Sequence, residues 1–171
     1  MTPGKSGNIS IKAPKSSNIL ITPSGISLRD VKLNNIIVTD CNGKQVEGEG
    51  KASSELNMHL KIYRTRPDIG GIVHTHSPYA TGFSFSDEEI PRFEGFGEIK
   101  DLYIKKVDYA TPGSYELVEL ASHALFKEDV IILKNHGVVS VASNLDEAAL
   151  LAEFTESSAK TGFVMNFLKF K

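Results

Sequence analysis

Several features that would place the chain in a special class are missing from this sequence. A single cysteine, Cys41, excludes an internal disulfide framework. No run of about 18 apolar residues is present, so we expect no membrane-spanning segment. The net charge of −2 gives no overall attraction to nucleic acid or to an anionic membrane. Residues 1–7 lack the apolar core of a signal peptide, which favours a cytoplasmic location.

What is present is the composition of an ordinary globular protein. Hydrophobic residues make up 40% and charged residues 23% of the 171 positions. A chain of this length can bury a core that folds alone, so we expect residues 1–171 to form one domain. Strand-like and helix-like segments alternate without an internal repeat, which is typical of an α/β or α+β layered domain.

The order of the elements follows from apolar runs, caps and turn residues. The predicted strands are residues 18–22, 35–39, 69–76, 103–109, 130–133 and 138–141. The predicted helices run from residue 53 or 54 to 64, from residue 78, from 115 to 126 and from 144 onward. Asn144, with Glu147 three residues later, is the predicted cap of the last helix. Residues 7–10 and 22–25 are predicted to be turns whose N–H groups could cradle an anion, and residues 84–101 a loop. The pair Asn42-Gly43 predicts a tight hairpin turn before residues 44–46.

Three histidines carry the strongest chemical signal. His74 and His76 end a predicted buried strand, where residues i and i+2 point to the same face, so both imidazoles can reach one cation. His136 follows a second apolar strand and precedes Gly137, which permits a turn or a close backbone approach. Taken singly, the pair could be surface histidines and His136 a satisfied core histidine. Together they predict a catalytic metal site with an open fourth position.

A helix start beside two serines predicts a second part of the site. Ser53 and Ser54 can cap the helix, and Glu55 in its first turn suits the helix dipole, which is a purely structural explanation. The same hydroxyls and N–H groups also suit a phosphate, and Glu55 would then occupy an acid/base position between an anion and a metal. His59 lies on the same helix face as Glu55 and could orient it, or be a half-buried helix residue.

These motifs occur together, and in the order found in one family. The chain resembles the class II aldolase/adducin family, and within it the sugar-phosphate aldolases that act on fuculose 1-phosphate. The motifs that carry the resemblance are Gly7-Asn8-Ile9-Ser10, Ile21-Thr22-Pro23-Ser24-Gly25, Ser53-Ser54-Glu55 with His59, Arg66-Pro67-Asp68, His74-Thr75-His76-Ser77, Tyr109-Ala110-Thr111-Pro112-Gly113-Ser114 and Asn135-His136-Gly137-Val138. They extend over nearly the whole chain.

The resemblance implies a fold, a site and a reaction. The fold is an α/β three-layer αβα sandwich with a central, largely antiparallel sheet, assembled as a homotetramer. Zinc would be bound by His74, His76 and His136, with Glu55 as the catalytic acid/base. The implied phosphate-binding positions are Asn8, Ser24, Gly25, Ser53 and Ser54. The implied reaction is metal-dependent cleavage of a phosphorylated ketose to dihydroxyacetone phosphate and an aldehyde, through an enediolate that the cation stabilises.

Other members of the family leave alternatives open. Methylthioribulose-1-phosphate dehydratases share the three histidines and use a glutamate in the loop after the metal strand, near Glu94 of this chain. Ribulose-phosphate 4-epimerases carry aspartate in place of Glu55, which disfavours that activity. Adducin-like modules are non-enzymatic and have lost metal ligands. The aldolases extend further at both ends, and a tyrosine of their C-terminal tail helps to protonate the aldehyde oxygen. We therefore expect the metal and phosphate sides to be retained and the aldehyde side to differ, or the chain to be an inactive remnant.

Overall fold

The computed structural model of the protein describes residues 2–93 and 101–169. Within these ranges the chain forms eight strands and four α-helices. The strands are β1 (Asn8–Lys12), β2 (Ile19–Ile21), β3 (Ile37–Thr39), β4 (Gln45–Glu47), β5 (Gly71–Thr75), β6 (Lys105–Val107), β7 (Val130–Leu133) and β8 (Gly137–Ala142). The helices are α1 (Leu56–Thr65), α2 (Pro78–Ser84), α3 (Tyr115–Ala124) and α4 (Leu145–Lys169). None of the helices in the described ranges is both long and apolar enough to cross a membrane.

The described strands form one sheet in the order β4-β3-β2-β1-β5-β8-β7-β6. Neighbouring strands are antiparallel except for β6 and β7, which are parallel. The strand β5 lies in the middle, between β1 and β8. Asn8 on β1 is directly opposite His74 on β5, and Val139 on β8 is opposite His74 on the other side. This register brings polar residues from distant parts of the sequence to one place in the sheet.

Apolar side chains alternate between the two faces of the sheet. Ile131 and Leu133 on β7 pack in a core with residues of α1 and α3, whereas Val130 and Ile132 pack in a second core with residues of α2 and α4. Full burial of one such side chain contributes about 1.5–3 kcal/mol. The sheet is therefore enclosed by two helical layers. The predicted three-layer αβα sandwich with a largely antiparallel sheet is confirmed.

Most predicted elements are present, with ends shifted by a few residues. The predicted hairpin between β3 and β4 is confirmed, because Asp40 Oδ1 accepts hydrogen bonds from the N–H groups of Asn42 and Lys44 at 2.8 and 2.9 Å. The predicted cap of α4 is also present, since Asn144 Oδ1 accepts from the Glu147 N–H at 2.9 Å. The predicted strand 103–109 is reduced to the three residues of β6.

The prediction of a turn at residues 7–10 was wrong, because Asn8 begins the strand β1. Asn8 and Ser10 are the buried side chains of this strand, while Ile9 between them is only half-buried. The usual pattern of a strand with an apolar buried face is therefore inverted here. The sequence looked like a polar turn because the buried face of β1 belongs to a polar site.

The prediction that Ser53 or Ser54 caps a helix was also wrong. The helix α1 begins at Leu56, and Glu55 occupies the cap position without a side-chain cap hydrogen bond. Ser53 Oγ instead accepts a hydrogen bond from the Glu55 N–H at 3.3 Å. The serines therefore lie just before the start of the helix, and the side chain of Glu55 contacts the histidines. The predicted loop 84–101 is described only in part, and Glu94 lies outside the described residues.

Candidate metal centre and active site

The three histidines converge on one point. His74 lies on β5, His76 directly after it, and His136 in the tight connection between β7 and β8. Asn135 has a φ of 56°, a left-handed conformation that turns the chain just before His136. The ring centroids of His74 and His76, of His74 and His136, and of His76 and His136 are 4.8, 4.8 and 4.9 Å apart. The structure therefore brings together the three residues that the sequence singled out.

The cluster fits a metal ion. The Nε2 atoms of His74 and His76 are 3.0 Å apart. Two nitrogens bound to one tetrahedral zinc at about 2.0–2.1 Å lie roughly 3.3 Å from each other. The Nδ1 atom of His74 is 2.8 Å from the carbonyl oxygen of Val138, to which it donates in the neutral ring. This hydrogen bond fixes the tautomer and leaves the lone pair of Nε2 directed at the cluster.

Burial favours neutral rings in two of the three histidines. Burial lowers the pKa of His76 to about 4, and the charge of His74 acts in the same direction. Burial likewise lowers the pKa of His136. Neutral imidazole is the form that binds a metal, so these two rings are ready to act as ligands at neutral pH.

Glu55 lies against the histidine cluster. Its Oε2 atom is 3.2 Å from Nε2 of His74, and its Oε1 atom is 3.6 Å from Nε2 of His136. The residue is only 7% exposed, and Oε1 has no hydrogen-bond partner among the described residues. A buried carboxylate oxygen without a donor is costly. The Oε1 atom is therefore available to a cation or to a proton that is being transferred.

Without a bound cation, Glu55 and His74 stabilise each other's charged forms. Burial by itself raises the pKa of Glu55, but the charge of His74 and hydrogen bonds from His74 and Asn8 bring this pKa well below its usual range. Burial by itself lowers the pKa of His74, but Glu55 raises it above its usual value. Glu55 is therefore an anion that requires a positive partner, and a cation bound by the histidines would replace the proton of His74 in that role.

Three backbone segments meet beside Glu55, and Thr22 joins them. Its N–H donates to the Ile9 carbonyl at 3.0 Å, and its Oγ1 accepts from the Ile9 N–H at 3.1 Å. Its carbonyl oxygen accepts from the Ser53 N–H at 3.2 Å. Residues 7–10, 22–25 and 53–54 are thus neighbours in the structure. Their role in binding phosphate stays a prediction.

The candidate phosphate-binding residues differ in exposure. Ser24, Gly25 and Ser54 are exposed, whereas Ser53 and Asn8 are buried. Gly25 has a φ of 78°, a conformation that glycine adopts without strain. The exposed members present a surface that a phosphate can reach from solvent, while the buried members contact Glu55.

A buried chain of hydrogen bonds runs from Glu55 into the core. Asn8 Nδ2 donates to Glu55 Oε2 at 2.7 Å, and Asn8 Oδ1 is 2.6 Å from His59 Nε2. His59 Nδ1 is 2.7 Å from Ser10 Oγ, which is 2.9 Å from the Tyr63 hydroxyl. Burial is the main cause that lowers the pKa of His59 to about 3, and the charge of His74 acts in the same direction. The ring of His59 is therefore neutral.

His59 is fully buried rather than half-buried, and it reaches Glu55 through Asn8. The sequence interpretation missed the parts that Ser10 and Tyr63 play. A signal was present, since Asn8 and Ser10 are two residues apart on a strand, and His59 and Tyr63 are four apart on a helix.

Comparison with known proteins identifies the family. Residues 1–162 match the family described as the Class II Aldolase and Adducin N-terminal domain. The chain belongs to the class II aldolase and adducin family.

The chain is similar to two aldolases and to one solved structure. The L-fuculose phosphate aldolase of Methanococcus maripaludis is 42% identical over 166 residues, which cover 97% of this chain and 89% of the relative. The 5-deoxy-D-ribulose 1-phosphate aldolase of Bacillus thuringiensis is 34% identical over 160 residues, which cover 94% and 75%. A solved structure of an L-fuculose 1-phosphate aldolase matches with a TM-score of 0.85 and 36% identity, over 97% of this chain and 79% of that one. The expectation of a class II aldolase, a lyase, is confirmed.

Proposed function

We propose that this class II aldolase cleaves a ketose 1-phosphate of the fuculose 1-phosphate type to dihydroxyacetone phosphate and an aldehyde, with zinc as its cation. The observation that carries the proposal is the convergence of three histidines and Glu55 on one point, beside three segments rich in hydrogen-bond donors. The names of the relatives support the substrate class, since they act on fuculose phosphate and on 5-deoxyribulose 1-phosphate.

The metal would be held by ring nitrogens of His74, His76 and His136. A divalent cation bound there would act as a Lewis acid on the ketone oxygen of the substrate. Zinc is proposed because three imidazoles with an open position are one of its catalytic ligand sets. Three histidines also suit cobalt, manganese or iron, so the metal content of the purified protein decides which metal is bound.

Glu55 is the proposed acid/base. Cleavage breaks the bond between C3 and C4 of the ketose and leaves its electron pair on the dihydroxyacetone phosphate half. The C4 hydroxyl loses a proton as it becomes the aldehyde, and C3 gains a proton. The Oε1 atom of Glu55 lies beside the cluster without a partner among the described residues, which suits the ionised carboxylate to take up the proton lost by the C4 hydroxyl and then to deliver it to C3.

The phosphate would be bound at the start of α1. The proposed ligands are Asn8, Ser24, Gly25, Ser53 and Ser54. Hydroxyl and N–H donors with the positive end of a helix dipole suit a dianion, and binding of this remote group holds the reacting carbons in place. We extend the proposal to one domain per chain and a homotetrameric assembly. The molecular mass of the protein in solution tests the assembly.

The test is an assay of the purified, zinc-loaded protein. Release of dihydroxyacetone phosphate is followed by its reduction with NADH and glycerol-3-phosphate dehydrogenase, with L-fuculose 1-phosphate and 5-deoxy-D-ribulose 1-phosphate as parallel substrates. We expect turnover of at least one of them and loss of that turnover in the His76→Ala variant. Methylthioribulose 1-phosphate, assayed for loss of water, tests the dehydratase alternative. Absence of dihydroxyacetone phosphate with both ketoses would contradict the proposal.

A further inference from the structure

The orientation of the Asn8 amide determines the direction of the hydrogen bonds that lead away from Glu55. The amide nitrogen of Asn8 donates to Oε2 of Glu55 at 2.7 Å. The other amide atom, Oδ1, then faces His59 at 2.6 Å. Because an amide oxygen only accepts, Nε2 of His59 must carry the ring proton.

The same reasoning continues along the chain. A neutral imidazole with its proton on Nε2 has a bare Nδ1, so the hydroxyl of Ser10 donates to it at 2.7 Å. The oxygen of Ser10 is then free to accept from the hydroxyl of Tyr63 at 2.9 Å. One arrangement of protons satisfies the bonds from Tyr63 to Glu55, and the orientation of the Asn8 amide sets it.

We propose that Tyr63, Ser10 and His59 form a positioning chain that locks the amide of Asn8 and thereby gives the two oxygens of Glu55 different roles. In this arrangement Oε2 is anchored by Asn8, and Oε1 is the oxygen that exchanges the proton with the substrate. The inference rests on the proposed aldolase function, because it assigns the proton transfer to one oxygen of Glu55. His59 is a positioning residue, since it is fully buried and contacts Asn8 instead of the substrate.

The geometry explains why the amide must be locked. Asn8 is 5% exposed, Ser10 is 1% exposed and His59 is 0% exposed, so water cannot replace a missing partner. If the Asn8 side chain were reversed, its oxygen would face the carboxylate oxygen of Glu55 at the distance of a hydrogen bond. Repulsion between the two oxygens would move Glu55 away from the histidines. Since Asn8 on β1 is opposite His74 on β5, the anchored carboxylate is fixed relative to the strand that carries the metal ligands.

Two substitutions of His59 separate positioning from packing. The His59→Met variant fills the space without a donor for Asn8, whereas the His59→Gln variant keeps an N–H group near the position of Nε2. In zinc-loaded protein we expect His59→Met to lower kcat about 10²-fold, the lower end of acid/base effects, with KM and zinc content near wild-type values. We expect His59→Gln to recover most of this loss. The His123→Gln variant, at an exposed position on α3, is the matched control and should retain wild-type kinetics.

The kinetic result can overturn the inference in two ways. Wild-type kcat in the His59→Met variant would show that the chain does not position Glu55. Equal loss of kcat in the Met and Gln variants, with zinc retained, would show that the ring is needed for packing and not for its donor.

A spectroscopic measurement on the wild-type protein does not depend on activity. Long-range proton–nitrogen correlation of the zinc-loaded wild-type protein reports the tautomer of His59, which is assigned by the loss of its signals in His59→Gln. We expect a neutral ring with its proton on Nε2, and a proton on Nδ1 would overturn the chain. If the wild-type protein cleaves neither ketose, the proposed function fails, while the tautomer still decides whether the chain exists.

Discussion

The Oε2 atom of Glu55 lies 3.2 Å from the Nε2 atom of His74, although one residue precedes α1 and the other is on β5. The candidate proton-transfer group therefore touches a candidate metal ligand directly. A substrate bound at the cation would have its ketone and its adjacent carbon beside this carboxylate. Substitution of either residue should consequently change the electrostatic surroundings of the other.

We predict that His76→Ala removes the metal and the activity together, because two imidazoles hold a divalent cation poorly. Metal content is measured by mass spectrometry of the purified protein, and turnover by the release of dihydroxyacetone phosphate. The His123→Ala variant is the control, since His123 is exposed on α3 away from the cluster. Full metal occupancy with normal turnover in His76→Ala would show that the site has been assigned wrongly.

We predict that Glu55→Gln keeps the metal but loses turnover by about 10² to 10⁴-fold, the range expected for a general acid/base. The amide has a similar shape and can still accept a hydrogen bond from Asn8, so the fold should be retained. The measurement is kcat at matched zinc content. A wild-type rate would move the proton transfer to another group, for which Glu94 is the next candidate.

We predict that Gly137→Ala weakens metal binding by about tenfold or more, as substitutions behind a ligand typically do. A Cβ at this position would lie 2.5 Å from the Thr75 carbonyl oxygen, 3.1 Å from His76 Cδ2 and 3.4 Å from His74 Cε1. The backbone of β5 and its histidines would have to shift.

The matched control for this substitution is Gly82→Ala on α2, where a Cβ would meet no described atom within 4 Å. Zinc affinity, measured by competition with a chromophoric chelator, should be unchanged in the control. Equal affinities in the wild-type protein and Gly137→Ala would contradict the packing argument.

We predict that removal of the metal lowers the melting temperature. Zinc at about 100 times its dissociation constant stabilises the folded state by about 2.7 kcal/mol, which corresponds to roughly 5–10 °C for a protein of this size. Melting curves with excess zinc and with excess EDTA check this. In the His76→Ala variant the two curves should nearly coincide, and coincident curves for the wild-type protein would argue against a bound cation.

Much of the fold was predictable because its signals are local. The buried run of β5 placed His74 and His76 on one face, and the Asn42-Gly43 turn fixed the hairpin of β3 and β4. The cap at Asn144 marked the start of α4. These features depend on residues within a few positions of each other, so the sequence alone was sufficient.

The parts that could not be predicted depend on pairing between distant segments. The strand β1 was mistaken for a turn because its buried side chains, Asn8 and Ser10, are polar, and their partners His59 and Tyr63 lie about fifty residues away. The anchoring of Glu55 by Asn8 depends on the register of β1 beside β5. Neither the hydrophobic pattern nor the spacing of the motifs contains that register.

The measurement that tests the central claim most directly is a crystal structure of the protein with zinc and phosphoglycolohydroxamate, a mimic of the enediolate of dihydroxyacetone phosphate. X-ray data collected above and below the zinc absorption edge locate the cation by its anomalous scattering. The account predicts one anomalous peak among the ring nitrogens of His74, His76 and His136, with the phosphate of the mimic at Ser53 and Ser54. Zinc bound elsewhere, or no peak at this cluster with saturating zinc, would contradict it.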